Sequence, residues 1–225
     1  MKIEENAWHD FGLAWQREWL IWRRQYQSQF NGIGFFMTVG LLLTLTLANL
    51  TILPMVGSCL VWMTSLLTVL LLAPAWFAQD VQSGYVDLWL SQGRSLWVFA
   101  MAKLILQWLV ISPLLAILGV MLGWQLGLPG QQLLPLALGL WLASLGLVAQ
   151  CGFGAAITAQ QSQGAVLATV LIMPLTVPFM LFGVSTSMAN SVSLPGYAAL
   201  LAGLSLLSLM LMPIAIQFVL KIVNH

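Results

Sequence analysis

The chain has 225 residues, 60% of them hydrophobic and 6% charged, with a formal net charge of +1 and a mean hydropathy of +0.96. Soluble domains carry about a quarter charged residues, and disorder requires low hydrophobicity with high net charge, so both classes are excluded. Abundant Leu, Gly, Met and Trp predict an all-α integral membrane protein rather than an alternating barrel, organised as one membrane domain over residues 1–225. A near-neutral chain gives no electrostatic reason to expect nucleic acid as a partner.

In the N-terminal arm Trp8, Phe11, Trp15, Trp19, Trp22 and Tyr26 recur at intervals of three and four, with Asp10, Arg17 and Arg24 on the opposite face. An aromatic stripe with a cationic back predicts an amphipathic elbow helix in the membrane interface over residues 1–30. A soluble amphipathic helix packed on a partner would show the same pattern. Asn31 and Gly32 then lead into the first span. These first residues are polar and aromatic rather than a basic stub with a short apolar core, so no cleavable signal peptide is expected.

About 20 apolar residues are needed to cross a bilayer. That rule predicts six transmembrane helices, at 33–52, 55–77, 96–121, 133–157, 165–184 and 197–220, which form a bundle over 31–221. Lys2, Arg17, Arg23, Arg24, Arg94, Lys103 and Lys221 all fall on one side of this arrangement, and the opposite connections carry no Lys or Arg. Both termini are therefore expected in the cytoplasm, with no extracellular domain. The fourth span is the least regular, holding Gln150 and several glycines. Gln107, Gln150 and Gln217 are expected to bond between helices. Gly119 with Gly123, and Gly152 with Ala156, mark close helix packing. Cys59 and Cys151 read as inert core thiols. Pro174 and Pro178 kink the fifth span or give it a hinge.

The connection between the second and third spans, 79–95, holds most of the internal polar chemistry. On a helix Asp80, Ser83 and Asp87 share one face while Val81, Tyr85 and Leu88 share another. Such a helix could lie along the membrane and offer its acidic face to a cytosolic partner; a solvated loop is the alternative. Gly84 and Gly93 each oppose a helix by up to about 1 kcal/mol. The spans read as free of buried Asp and Glu, which argues against ion-coupled transport. No phosphate-binding GxxxxGK[ST] motif occurs, and His9 and His225 are both terminal. No catalytic, metal or cofactor residues are assigned, and no enzyme activity is expected.

The motifs D-V-Q-S-G-x-x-D-x-W-L at 80–90 and P-L-T-V-P at 174–178, with six spans and an elbow helix, resemble the CcmB family. This is the membrane subunit of the ABC-type haem exporter complex of bacterial cytochrome c maturation. The resemblance implies an ABC-2 (type-2 exporter) permease-like fold in the inner membrane. Two copies would be flanked by two copies of a CcmA-like cytosolic ATPase that binds the ATP. CcmC-like, CcmD-like and CcmE-like proteins would complete the complex, which handles haem without this chain binding it. Ala78, Gln82 and Ser83 stand where family members are often charged, which alters the implied docking contacts. On this reading Asp80 and Asp87 face a groove on the ATPase, and Val81, Tyr85 and Leu88 hold the segment to the bundle. An ABC-2 permease for lipid or polysaccharide, or a non-transporting membrane scaffold, are the competing readings.

Overall fold

The computed structural model describes residues 2–24, 26–48, 53–159 and 164–223, with side chains described except at 2–9, 22, 24, 26–29, 164–171 and 222–223. The regular structure among these residues is helical: α1 (Lys2–Arg24), α2 (Tyr26–Leu47), α3 (Pro54–Leu72), α4 (Ala75–Gln82), α5 (Tyr85–Ser91), α6 (Leu96–Gln125), α7 (Gly130–Thr158), α8 (Gly164–Ser187) and α9 (Leu194–Val223). Helices are what a bilayer demands, because every backbone donor and acceptor must be satisfied within its own segment.

Among the described residues, five stretches are long and apolar enough to cross a membrane: Phe30–Leu47, Pro54–Gln82, Leu96–Gln125, Gly130–Thr158 and Leu194–Lys221. The predicted fifth span lies on α8, whose apolar stretch among the described residues is Ile172–Ser187. Two boundaries differ from the sequence reading. α1 ends at Arg24 and α2 begins at Tyr26, so Asn31 and Gly32 lie within α2 and not ahead of it. Gly32 serves packing: Leu72 lies so close that a Cβ at this position would overlap it. The second span runs on beyond 77, because the chain turns only at Ala73 and Pro74 before resuming as α4. Pro74 lacks the donor that would continue α3.

The fourth predicted span, the least regular in sequence, is the centre of the molecule. α7 packs against α6, α8 and α9, and against α4 at one end. Its glycines admit large neighbours: Phe179 of α8 lies over Gly146 and Leu104 of α6 over Gly152. The Gly119 and Gly123 pair brings α6 onto Leu140 and Leu136 of α7 in the same way, as its spacing predicts. Gln150 donates from Nε2 to Ser208 Oγ across α7 and α9 at 3.4 Å, the interhelical bond expected of it. Cys151 is fully buried and Cys59 half-buried, both as free thiols. Hydroxyls elsewhere turn inward on their own helix; Thr64 and Thr68 donate to Leu60 O and Thr64 O at 2.8 Å. α8 continues unbroken through Pro174 and Pro178, of which Pro174 is exposed and Pro178 half-buried.

Trp62 joins three helices. Its indole packs on Gly183 of α8 and Gly139 of α7, and its Nε1–H donates to Ser187 Oγ at 3.2 Å. A side chain at 183 would have to occupy the volume of the ring. Gly183→Leu is therefore expected to cost about 1–3 kcal/mol by overpacking, seen as a lower melting temperature in detergent. Adding Trp62→Ala should return part of that loss, because the two changes share one volume.

Candidate functional site

At the end of the bundle where α1, α4, α5 and α6 meet, four ionisable side chains close into a ring of alternating charge. Arg17 Nη1 lies 2.9 Å from Glu18 Oε1, and Arg17 Nη2 lies 2.7 Å from Asp80 Oδ1. Lys103 Nζ completes the circuit, 2.5 Å from Glu18 Oε2 and 2.8 Å from Asp80 Oδ2. Glu18 and Asp80 are each 2% exposed and Lys103 3%, while Arg17 keeps one edge open. Every charge has two opposite partners. A single buried charge is strongly disfavoured, whereas a net-neutral ring sets opposite charges beside one another at short range.

Each member is placed by its own helix. Ala14 and Glu18, one turn apart, form the buried face of α1 against α6. Lys103 stands seven residues into α6, roughly 10 Å along its axis, with its side chain buried. Asp80 lies near the end of α4. Aromatic rings wall the ring of charges: Lys103 Nζ lies 5.5 Å and 5.6 Å from the ring centroids of Phe77 and Phe99. The Arg17 guanidinium stacks on Tyr85, its Cζ 3.3 Å from the ring centroid, within range for a cation–π contact. Burial holds the Tyr85 phenol above its ordinary pKa, against the opposing pull of Arg17. The guanidinium therefore meets an uncharged ring at neutral pH.

A second, looser set lies beside it. Arg94 reaches Asp10 at 3.4 Å and sits 5.0 Å above the ring of Trp89. Trp89 packs on Tyr85 and Phe99 and donates from Nε1 to Ser95 O at 3.1 Å. These contacts seat α5 on the start of α6.

The connection 79–95 is thus two helices, α4 and α5, and not one. They break at Gly84, whose φ of +67° suits glycine, and Gly93 at φ +70° ends the segment. The break changes which residues share a face. Asp80 turns into the bundle, so it does not face outward beside Asp87, which is exposed. Val81 and Tyr85 pack on the core as expected. Leu88 does not; it is 54% exposed, and the anchors of α5 are Val86 and Trp89. The ring also corrects two sequence expectations. A carboxylate, Asp80, is buried at the end of the second span. Arg17, expected on the outward cationic back of α1, turns inward. Of the aromatic stripe, Phe11 and Trp15 stack on each other with centroids 6.0 Å apart and Phe11 packs on the core. Trp19 is 44% exposed, and the side chains of Trp8 and Trp22 lie outside the described residues. Glu18 and the structural role of Lys103 escaped the sequence reading. The available signal was a lysine two turns into an apolar helix, which requires a counter-ion.

The fold and this site define a class: a polytopic helical membrane protein whose buried charge is gathered at one end and joins its N-terminal helix to the second and third apolar stretches. A family model described as CcmB protein matches residues 13–223. The chain belongs to the CcmB family. It is 31% identical over 215 residues to Heme exporter protein B of Pseudomonas aeruginosa, covering 94% of this chain and 96% of that protein. Heme exporter protein B of Bradyrhizobium diazoefficiens is 31% identical over 188 residues, covering 82% of this chain and 85% of that protein. The Haemophilus influenzae protein of the same name is 27% identical over 210 residues, covering 92% and 95%.

Proposed function

We propose that this chain is the membrane subunit of an ABC-type exporter complex serving haem delivery and release of the haem-loaded chaperone in c-type cytochrome biogenesis. The observation that carries this reading is the match to the CcmB family along almost the whole chain. The subunit lies in the bacterial inner membrane with both termini cytoplasmic, and it catalyses no reaction itself. A CcmA-like ATPase binds and hydrolyses ATP. A second copy of the chain and CcmC-like, CcmD-like and CcmE-like proteins complete the assembly, with haem handled by the complex. Pro174 and Pro178 serve as the hinge of α8.

The ATPase docks on the outward face of α5. Asp87, Leu88 and Ser91 are exposed there, while Tyr85, Val86 and Trp89 secure the helix from behind. An exposed leucine beside a carboxylate, on a short helix held by two aromatic contacts to Phe99, suits a contact that must transmit force. Leu88→Asp should leave the bundle folded, because Leu88 is not one of its packing residues. It should lower retention of the ATPase during co-purification on the order of tenfold, as for a central interface residue, and lower c-type cytochrome formation in a strain lacking its own copy. Unchanged retention and unchanged cytochrome yield would remove α5 as the docking element.

A further inference from the structure

We propose that the ring of Arg17, Glu18, Asp80 and Lys103 is a transmission joint: it makes α1, α4, α5 and the start of α6 move as one body, so that a displacement imposed at α5 is delivered to α1. This rests on the proposed function, in which the ATPase supplies the displacement.

Gly84 is where α4 and α5 could bend against each other, since its backbone is left-handed and carries no side chain. Arg17 bridges that point. Its Nη2 holds Asp80 on the α4 side at 2.7 Å, and its guanidinium lies on the Tyr85 ring on the α5 side at 3.3 Å. One side chain from α1 therefore staples the two short helices together. The other half of the ring repeats the connection at depth, with Lys103 of α6 held by Glu18 of α1 and Asp80 of α4.

A ring of alternating charges resists sliding in a way that an apolar contact does not. Leucines can slip past one another by part of a residue and still touch. If α1, α4 or α6 shifts alone, two short ion pairs open together in surroundings that cannot solvate them, and a shift of α5 alone pulls the Tyr85 ring from the Arg17 guanidinium. Apolar residues of equal volume would hold the helices together about as strongly. What charges add at these positions is a fixed register, the best-attested use of buried ionic groups. α2, which follows α1 in sequence, packs on α3 and exposes Met37, Leu41 and Leu45 along the groove it forms with α6.

Spin labels at the exposed positions Gln16 on α1, Ser91 on α5 and Lys221 on α9, placed in a Cys59→Ser background, would report this in the assembled complex with and without ATP. The expected result is a Gln16–Ser91 distance that ATP leaves unchanged while Ser91–Lys221 changes. A changed Gln16–Ser91 distance overturns the joint and leaves the proposed function standing. If Ser91–Lys221 stays fixed as well, α5 is not driven by the ATPase, and the proposed function falls together with the joint. A second test opens the ring without leaving a net charge: Lys103→Met with Glu18→Leu retains the Arg17–Asp80 pair. The number of ATP molecules hydrolysed per loaded chaperone released should rise on the order of tenfold, the upper range for changes along a coupling path. A purely structural ring would lower assembly and output together and leave that ratio alone, which would overturn the proposal. Should the double variant fail to fold, the distances in the protein with its ring intact decide the question.

Discussion

Lys103→Met is expected to remove most of the folded protein from the membrane, although methionine is the more apolar residue and sits in an apolar helix. The substitution leaves Glu18 and Asp80 with only Arg17 between them, so the buried site carries one net negative charge. Breaking a buried pair from one side costs about 3–5 kcal/mol, a large share of a stability that is commonly about 5–15 kcal/mol. The comparison that isolates the cause is Lys103→Met combined with Glu18→Leu or with Asp80→Asn. Each removes one charge of either sign, and each should recover most of the loss. Yield of monodisperse protein after detergent extraction, together with the melting temperature, gives the measurement. If the single and double variants are equally poor, the cost lies in the shape of the site and not in its charge. Lys103→Arg is a milder probe. It keeps the charge but brings a planar fork into a space that now holds a compact ammonium between two phenylalanine rings.

Five of the six predicted spans fall on helices long enough to cross a membrane, while the ring is not legible in the sequence, for one physical reason. A membrane span is a property of composition along 20 or so residues, and hydropathy reads it directly. α6, α7 and α9 stand close to their predicted limits. The ring is a property of residues far apart in sequence, at 17, 18, 80 and 103, and no local pattern brings them together. Periodicity was misleading in two places. Phe11, Trp15 and Trp19 recur at helical spacing on α1, yet the face of α1 buried against α6 holds Ala14 and Glu18. A membrane surface is itself a solvent for indole rings, so in a bilayer an aromatic face is not required to be the inward one. In 79–95 a single helical wheel runs through Gly84, and the left-handed residue there rotates everything after it. That one residue exchanges Leu88 for Val86 and Trp89 as anchors, and it separates Asp80 from Asp87.

That separation leads to the sharpest contrast between two residues of the same type. Asp80→Ala and Asp87→Ala remove the same carboxylate from positions seven apart, and a single continuous helix would place them on one face. In the structure Asp80 has two cationic partners within 2.8 Å and is 2% exposed, whereas Asp87 is exposed on the first turn of α5. Removing Asp80 leaves Arg17 and Lys103 sharing Glu18 alone, with one net positive charge in the bundle, and should cost about 3–5 kcal/mol. Removing Asp87 should leave stability within about 0.5 kcal/mol, as for surface substitutions generally. An exposed ion pair to the ATPase contributes about 0–1 kcal/mol, so Asp87→Ala should lower retention of the partner only a few-fold. Thermal melts of both variants, with co-purification of the ATPase scored per folded subunit, separate the two effects. Asp80→Ala should melt early and retain little partner. Asp87→Ala should melt normally and lose some partner. If both variants melt like the parent, Asp80 does not hold a load in the fold, and the ring cannot be what ties α1 and α4 to α6.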